Sequence, residues 1–154
     1  MEKPLFTVFG RHESEKTIEK SRFFTYSAHV ESEEEAKAFL SEIRRAHSLA
    51  THCCYGFVAD KTGNLQRFSD DGEPQGTAGI PILEVIKNKK LFETAVAVVR
   101  YFGGVKLGAG GLVSAYTRAV AETVENAKIV KNVVGVLLEI KCGYEMYNAL
   151  LQAL

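Results

Sequence analysis

Between Arg100 and Gly111 the chain reads Arg-Tyr-Phe-Gly-Gly-Val-Lys-Leu-Gly-Ala-Gly-Gly, with five glycines in the nine residues from Gly103 onward. Gly103, Gly104, Gly108, Gly110 and Gly111 permit positive φ and close approach of the backbone to a ligand. Free N–H groups where a helix starts, with Arg100 and Lys106 nearby in sequence, have the chemistry to cradle a phosphate or carboxylate. The alternative is a tight strand-to-helix turn whose glycines relieve crowding, and spacing alone does not separate the two. No lysine followed by Ser or Thr stands at a P-loop position, and Val113 occupies the place of the third dinucleotide-fingerprint glycine. Walker-type ATP binding is therefore not expected.

Asp70, Asp71 and Glu73 put three carboxylates within four residues. Such a group can hold Mg²⁺ through oxygen or accept hydrogen bonds from an arginine. Pairing with Arg100 accounts both for the acidic turn and for an arginine on an apolar strand face. His47, His52, Cys53 and Cys54 have the composition of a zinc cluster, but adjacent cysteines on a strand point to opposite faces and Cys142 has no neighbouring ligand. No metal site and no cofactor are assigned. His52 reads as a general base or a hydrogen-bonded strand histidine, with the structural role preferred, and Cys54 as a small core residue. With neither G-x-S-x-G nor H-E-x-x-H present, no catalytic residue is assigned.

The elements that must position these residues follow from periodicity. Leu5 to Phe9 reads as a short strand, Arg11 to Ser21 as a turn or exposed strand pair. Arg22 to Val30 alternates with Phe24, Tyr26, Ala28 and Val30 on one side and Thr25, Ser27 and His29 on a wet face. Ser32 with Glu35 forms a capping box, and Ala36, Phe39, Leu40 and Ile43 form the buried stripe of the helix that follows. Cys53–Ala59 and Leu65–Ser69 flank a turn and predict a hairpin, and the polar stretch from Ser69 to Gly79 an exposed loop. A short helix follows with Pro81 in its first turn, then a central strand over Thr94–Phe102 with Arg100 on the face of Val96 and Val98. Leu112, Tyr116, Ala119, Val120, Thr123, Val124 and Ala127 keep helical spacing. Val133–Cys142 reads as a strand and Tyr144–Leu154 as a helix, a pair with no obvious sheet to complete.

The 154 residues are 46% apolar and 25% charged, with 19 basic against 19 acidic side chains. These are the proportions of a globular protein, one domain or one plus a fragment, large enough to hold a core without disulfides or structural metal. Neutral net charge removes whole-molecule attraction to nucleic acid or membrane, so any such binding must come from a local patch. Three cysteines, an odd count, suit a reducing compartment, and no apolar run approaches the ~20 residues of a membrane helix. A soluble, cytoplasmic chain without a membrane partner is expected.

Taken together, four stretches resemble the Impact/YigZ family. They are Lys20-Ser21-Arg22-Phe23; Ala50-Thr51-His52 with Cys54-Tyr55; Ser69-Asp70-Asp71-Gly72-Glu73-Pro74 with Gly76-Thr77-Ala78-Gly79; and Arg100-Tyr101-Phe102-Gly103-Gly104 with Lys106-Leu107-Gly108 and Gly110-Gly111-Leu112-Val113. The resemblance covers about Ser21 to Val130. It implies an α+β two-layer sandwich with the fold of the second domain of small-subunit ribosomal protein five over residues 1–131. Residues 132–154 would then be the start of a truncated ferredoxin-like domain. Eukaryotic relatives act as translation regulators in a stress response. Ser114 stands where the family pattern places arginine, and Arg118 lies one turn later.

These features lead to a non-enzymatic regulatory or binding module linked to translation. It would contact RNA, the ribosome or a translation-related protein through Arg100, Lys106, the glycine turn and the Asp70–Glu73 loop, with His52 beside them. The competing expectation is an enzyme acting on a phosphate- or carboxylate-bearing small molecule, with Mg²⁺ on Asp70, Asp71 and Glu73 and His52 as acid/base. Oligomeric state is not legible from the sequence.

Overall fold

A computed structural model describes residues 4–153. The chain order is β1 (Leu5–Val8), β2 (Arg11–Ile18), β3 (Ser21–His29), α1 (Glu33–Ala46), β4 (His52–Val58), β5 (Gln66–Ser69), α2 (Gly79–Asn88), β6 (Thr94–Tyr101), α3 (Gly108–Asn126), β7 (Ile129–Asn132), a 3₁₀ turn (Tyr144–Met146) and α4 (Tyr147–Ala153). Five strands form an antiparallel sheet in the order β2-β3-β6-β4-β5, and β1 pairs with β7 in a separate two-stranded ribbon. β6 is the central strand expected from its β-branched run, and all its residues but Tyr101 are buried.

The expected α+β class is what forms, and α1 gives the sandwich a third layer. Val96 and Val98 join Phe23, Cys54, Ile82, Ile86, Tyr116 and Val120 in one core beneath α2 and α3. On the other face Ala95, Ala97 and Val99 pack with Cys53, Phe57 and the α1 stripe of Ala36, Phe39, Leu40 and Ile43. Ser32 caps α1 as its sequence requires, accepting from the Glu35 N–H at 3.1 Å. The first core corrects one expectation: Thr25 and Ser27 of β3 are not on a wet face but buried, because α3 lies against them, and of that face only His29, at the strand end, is partly exposed. Alternation located the strand, whereas small hydroxyl side chains hid which face was covered.

Two other expectations change. The Ser69–Gly79 segment is a loop, but it is not simply exposed, since Glu73 and Thr77 are buried. No strand forms over Val133–Cys142; this segment is irregular and exposed, because its alternating apolar residues meet no neighbouring strand to complete a ladder. The helix expected over Tyr144–Leu154 appears as the 3₁₀ turn and α4, with Leu154 outside the described residues. Among the described residues no helix is long and apolar enough to cross a membrane.

Cys53 and Cys54 point into opposite cores, as their adjacency on a strand dictates, and Cys142 is exposed. Burial pushes both core thiols up, so the reactive thiolate is suppressed there. Titration of the native protein with a thiol reagent should modify one cysteine, Cys142, and the other two should react only in denaturant.

Candidate functional site

Arg100 sits near the C-terminal end of β6 on the face beneath α3, where its neighbours Val96 and Val98 are apolar. A guanidinium 4% exposed requires a compensating anion, and the loop supplies Glu73, itself 8% exposed. Arg100 Nη1 donates to both carboxylate oxygens of Glu73 at 2.9 Å each, while Nε donates to Ser21 Oγ at 3.2 Å. Tyr116 of α3 donates its hydroxyl to Glu73 Oε2 at 2.8 Å, and burial pushes that phenol upward, keeping it a donor. His52, the first residue of β4, completes the cluster with Nε2 at 2.9 Å from Glu73 Oε1. Its Nδ1–H donates to the Asp71 carbonyl at 2.8 Å. The expected pairing of loop and arginine is therefore present, carried by Glu73.

The other two loop carboxylates turn elsewhere. Asp70 accepts from the N–H groups of Gly76, Ala78 and Gly79 at 2.9, 3.1 and 2.7 Å, closing the loop onto the start of α2. Burial alone would raise the pKa of Asp70, but these backbone donors outweigh it and hold the carboxyl below the usual range. Asp71 accepts from the Cys53 N–H at 2.7 Å and lies 3.4 Å from Arg44. The three carboxylates thus have separate partners and do not gather about one point, which removes the Mg²⁺ site of the enzymatic alternative. His52 has both ring nitrogens engaged, one by the Asp71 carbonyl and one by Glu73, which ties β4 to the loop.

The glycine turn divides between the two uses expected of it. A Cβ on Gly103 would lie 1.9 Å from the Lys20 carbonyl, so this glycine is there for close backbone packing. Gly104 and Gly108 have φ of 91° and 74°, bending the chain into α3. Gly111 meets Leu107, whereas Gly110 has nothing within 4 Å of where its Cβ would be. α3 begins without a side-chain cap and without an acidic residue in its first turn, so its first N–H groups keep their positive end uncompensated.

That helix start opens on a cleft of about 420 Å³, where Arg100, Lys106, Gly108, His52 and Glu73 come together. Asp70, Asp71, Gly103, Gly104, Gly110 and Gly111 are not among its lining residues. Thr51, Phe102 and Leu112 line it too; the sequence placed them in the family-like stretches but did not assign them to the site. Thr51 Oγ1 accepts from the Phe102 N–H at 3.0 Å, and the Phe102 ring lies 5.5 Å from the Arg100 guanidinium. Only the register of β4 against β6 brings these residues side by side. Ser114 and Arg118 are exposed on α3, away from these lining residues.

Two measurements follow. Glu73→Gln should cost about 3 kcal/mol or more in urea unfolding, because it leaves Arg100 buried without its counter-charge. Asp70→Asn should destabilise most near neutral pH. A carboxyl whose folded pKa is lowered stabilises above its unfolded value of about 3.9 and loses that contribution as pH falls through the folded pKa. The gap between wild type and Asp70→Asn should therefore narrow as the pH is lowered through about 4 and below.

Comparison with known proteins places the chain in a family. The Impact N-terminal domain family matches residues 19–124. The chain is 46% identical over 126 residues to the Bacillus subtilis IMPACT family member YvyE, covering 82% of this chain and 58% of that one. To the Escherichia coli IMPACT family member YigZ it is 48% identical over 101 residues, covering 64% and 50%. It thus spans little more than half the length of these relatives. A crystal structure of a hypothetical protein superposes with a TM-score of 0.81 at 32% identity, covering 99% of this chain and 75% of that one. With its acidic loop locked to the central strand beside the glycine turn, this chain belongs to the Impact N-terminal domain family.

Proposed function

We propose that the chain is a non-enzymatic binding module linked to translation, and that it takes the phosphate backbone of RNA at the start of α3. The observation that carries this reading is the uncapped, acid-free N-terminus of α3, which faces a cleft lined by Lys106 and by the half-exposed ring of Phe102. N–H groups and an exposed ammonium suit a phosphate, and an aromatic edge beside them suits an unstacked base. Family membership supports the link to translation, since the resemblance associates eukaryotic relatives with its regulation. In this reading residues 1–131 form the binding unit and 132–154 open a second unit. Arg100 acts through Glu73 as a positioning residue, and the acidic loop holds the cleft wall instead of meeting the partner.

The test is fluorescence anisotropy of a labelled single-stranded RNA across a salt series. Lys106→Ala should weaken binding and flatten the slope of log K against log salt by about 0.7, one single-strand phosphate contact. Ala109→Glu places a carboxylate at an exposed position of the first turn that lines the cleft, where it suits the helix dipole yet repels phosphate. It should abolish binding without loss of stability. Wild-type protein that binds no RNA, or binding indifferent to both substitutions, would sink the reading.

A further inference from the structure

Glu93 is a second carboxylate withdrawn from water, 3% exposed in the turn before β6. Unlike Glu73 it meets no arginine or lysine among the described residues, and its side chain accepts one long hydrogen bond, from Asn132 Nδ2 at 3.3 Å. A carboxylate with so few partners leaves an oxygen open to a cation. Two further donors converge on it. One carboxylate oxygen each from Glu31 and Glu93 and a ring nitrogen of His29 all lie within 4.8 Å of one another. His29 Nε2 is 3.0 Å from Glu31 Oε1, and Glu93 keeps only its amide partner.

The imidazole is also held from behind. Thr7 Oγ1 lies 2.9 Å from His29 Nδ1, and the same hydroxyl donates to the Glu93 carbonyl at 3.2 Å. In that arrangement Nδ1 carries the proton given to Thr7, and the Nε2 lone pair is directed at the carboxylates. A hydrogen bond on the far ring nitrogen is how metal-binding histidines are oriented.

We propose that His29, Glu31 and Glu93 form a site for a divalent first-row transition ion. One imidazole with two carboxylates suits Zn²⁺ or Mn²⁺, whereas Mg²⁺ and Ca²⁺ favour all-oxygen sets. Side-chain torsion is enough to bring atoms already this close to the ~2.0–2.2 Å of zinc–nitrogen and zinc–oxygen bonds. The exposed Glu31 leaves the remaining positions open to water. Because Thr7 belongs to β1, His29 to β3 and Asn132 to β7, the ion would pin the two-stranded ribbon to the main sheet.

The test is calorimetric titration of metal-free Cys142→Ser protein with Zn²⁺ and with Mg²⁺, the serine removing an exposed competing thiol. One Zn²⁺ per chain is expected, a rise in Tm with saturating Zn²⁺, and far weaker Mg²⁺ binding. Glu31→Gln, at an exposed position the fold tolerates, should lower Zn²⁺ affinity at least about tenfold and remove the Tm rise, and His29→Gln should do the same. No stoichiometric Zn²⁺, affinity unchanged in Glu31→Gln, or Mg²⁺ bound as tightly as Zn²⁺ would overturn the assignment.

Discussion

Burying an arginine in the middle of a sheet is the constraint from which the candidate site is built. Arg100 stands on the strand that every other part of the core packs against, and it is almost wholly removed from water. A lone guanidinium there would be untenable, so an acidic residue must be brought to it from another element. The chain does this with a loop, and a loop can hold a carboxylate in place only if its own backbone is fixed. Asp70 fixes it by gathering three N–H groups, and Asp71 fixes it by taking the Cys53 N–H at the neighbouring strand. Each acidic residue of the run thus has a separate mechanical task, and together they deliver Glu73 to Arg100.

The same cluster couples elements far apart in sequence. Ser21 of β3, His52 of β4 and Tyr116 of α3 all reach Arg100 or Glu73 within 3.2 Å. Fully hydrogen-bonded buried polar clusters of this kind specify one arrangement of their elements, since any slip leaves a charge without a partner. The consequence for the cleft is rigidity on one wall. Tyr116 lies two turns into α3, so holding it also positions the start of that helix, which opens on the cleft that Lys106 and Phe102 line.

Much of this was legible in sequence for physical reasons. The α1 stripe and its Ser32 cap follow from 3.6-residue periodicity and capping chemistry, and β6 from its unbroken β-branched run. An arginine on an apolar face announces a buried counter-ion, and the acidic loop is where it was found. What sequence could not give was the division of labour among Asp70, Asp71 and Glu73, because like residues in one turn are distinguished only by where the turn directs them. Nor could it assign a face to Thr25 and Ser27, whose hydroxyls suit water and a tightly packed helix equally well. The strand expected over Val133–Cys142 shows the limit of local pattern: alternation describes a strand's faces, but a strand exists only where another offers its edge.

The two buried carboxylates, Glu73 and Glu93, make the same demand on the fold and receive different answers. Glu73 is met by an arginine, a phenol and an imidazole, so its charge is balanced within the chain. Glu93 is met by one amide and stands beside an imidazole already facing a second carboxylate. The first is a fixed internal strut, whereas the second has donors grouped beside it, and in the proposed site a cation from solution completes them. The difference is invisible in a residue count, since both are single glutamates outside the strands. It becomes a physical distinction once the partners of each oxygen are followed outward from the core.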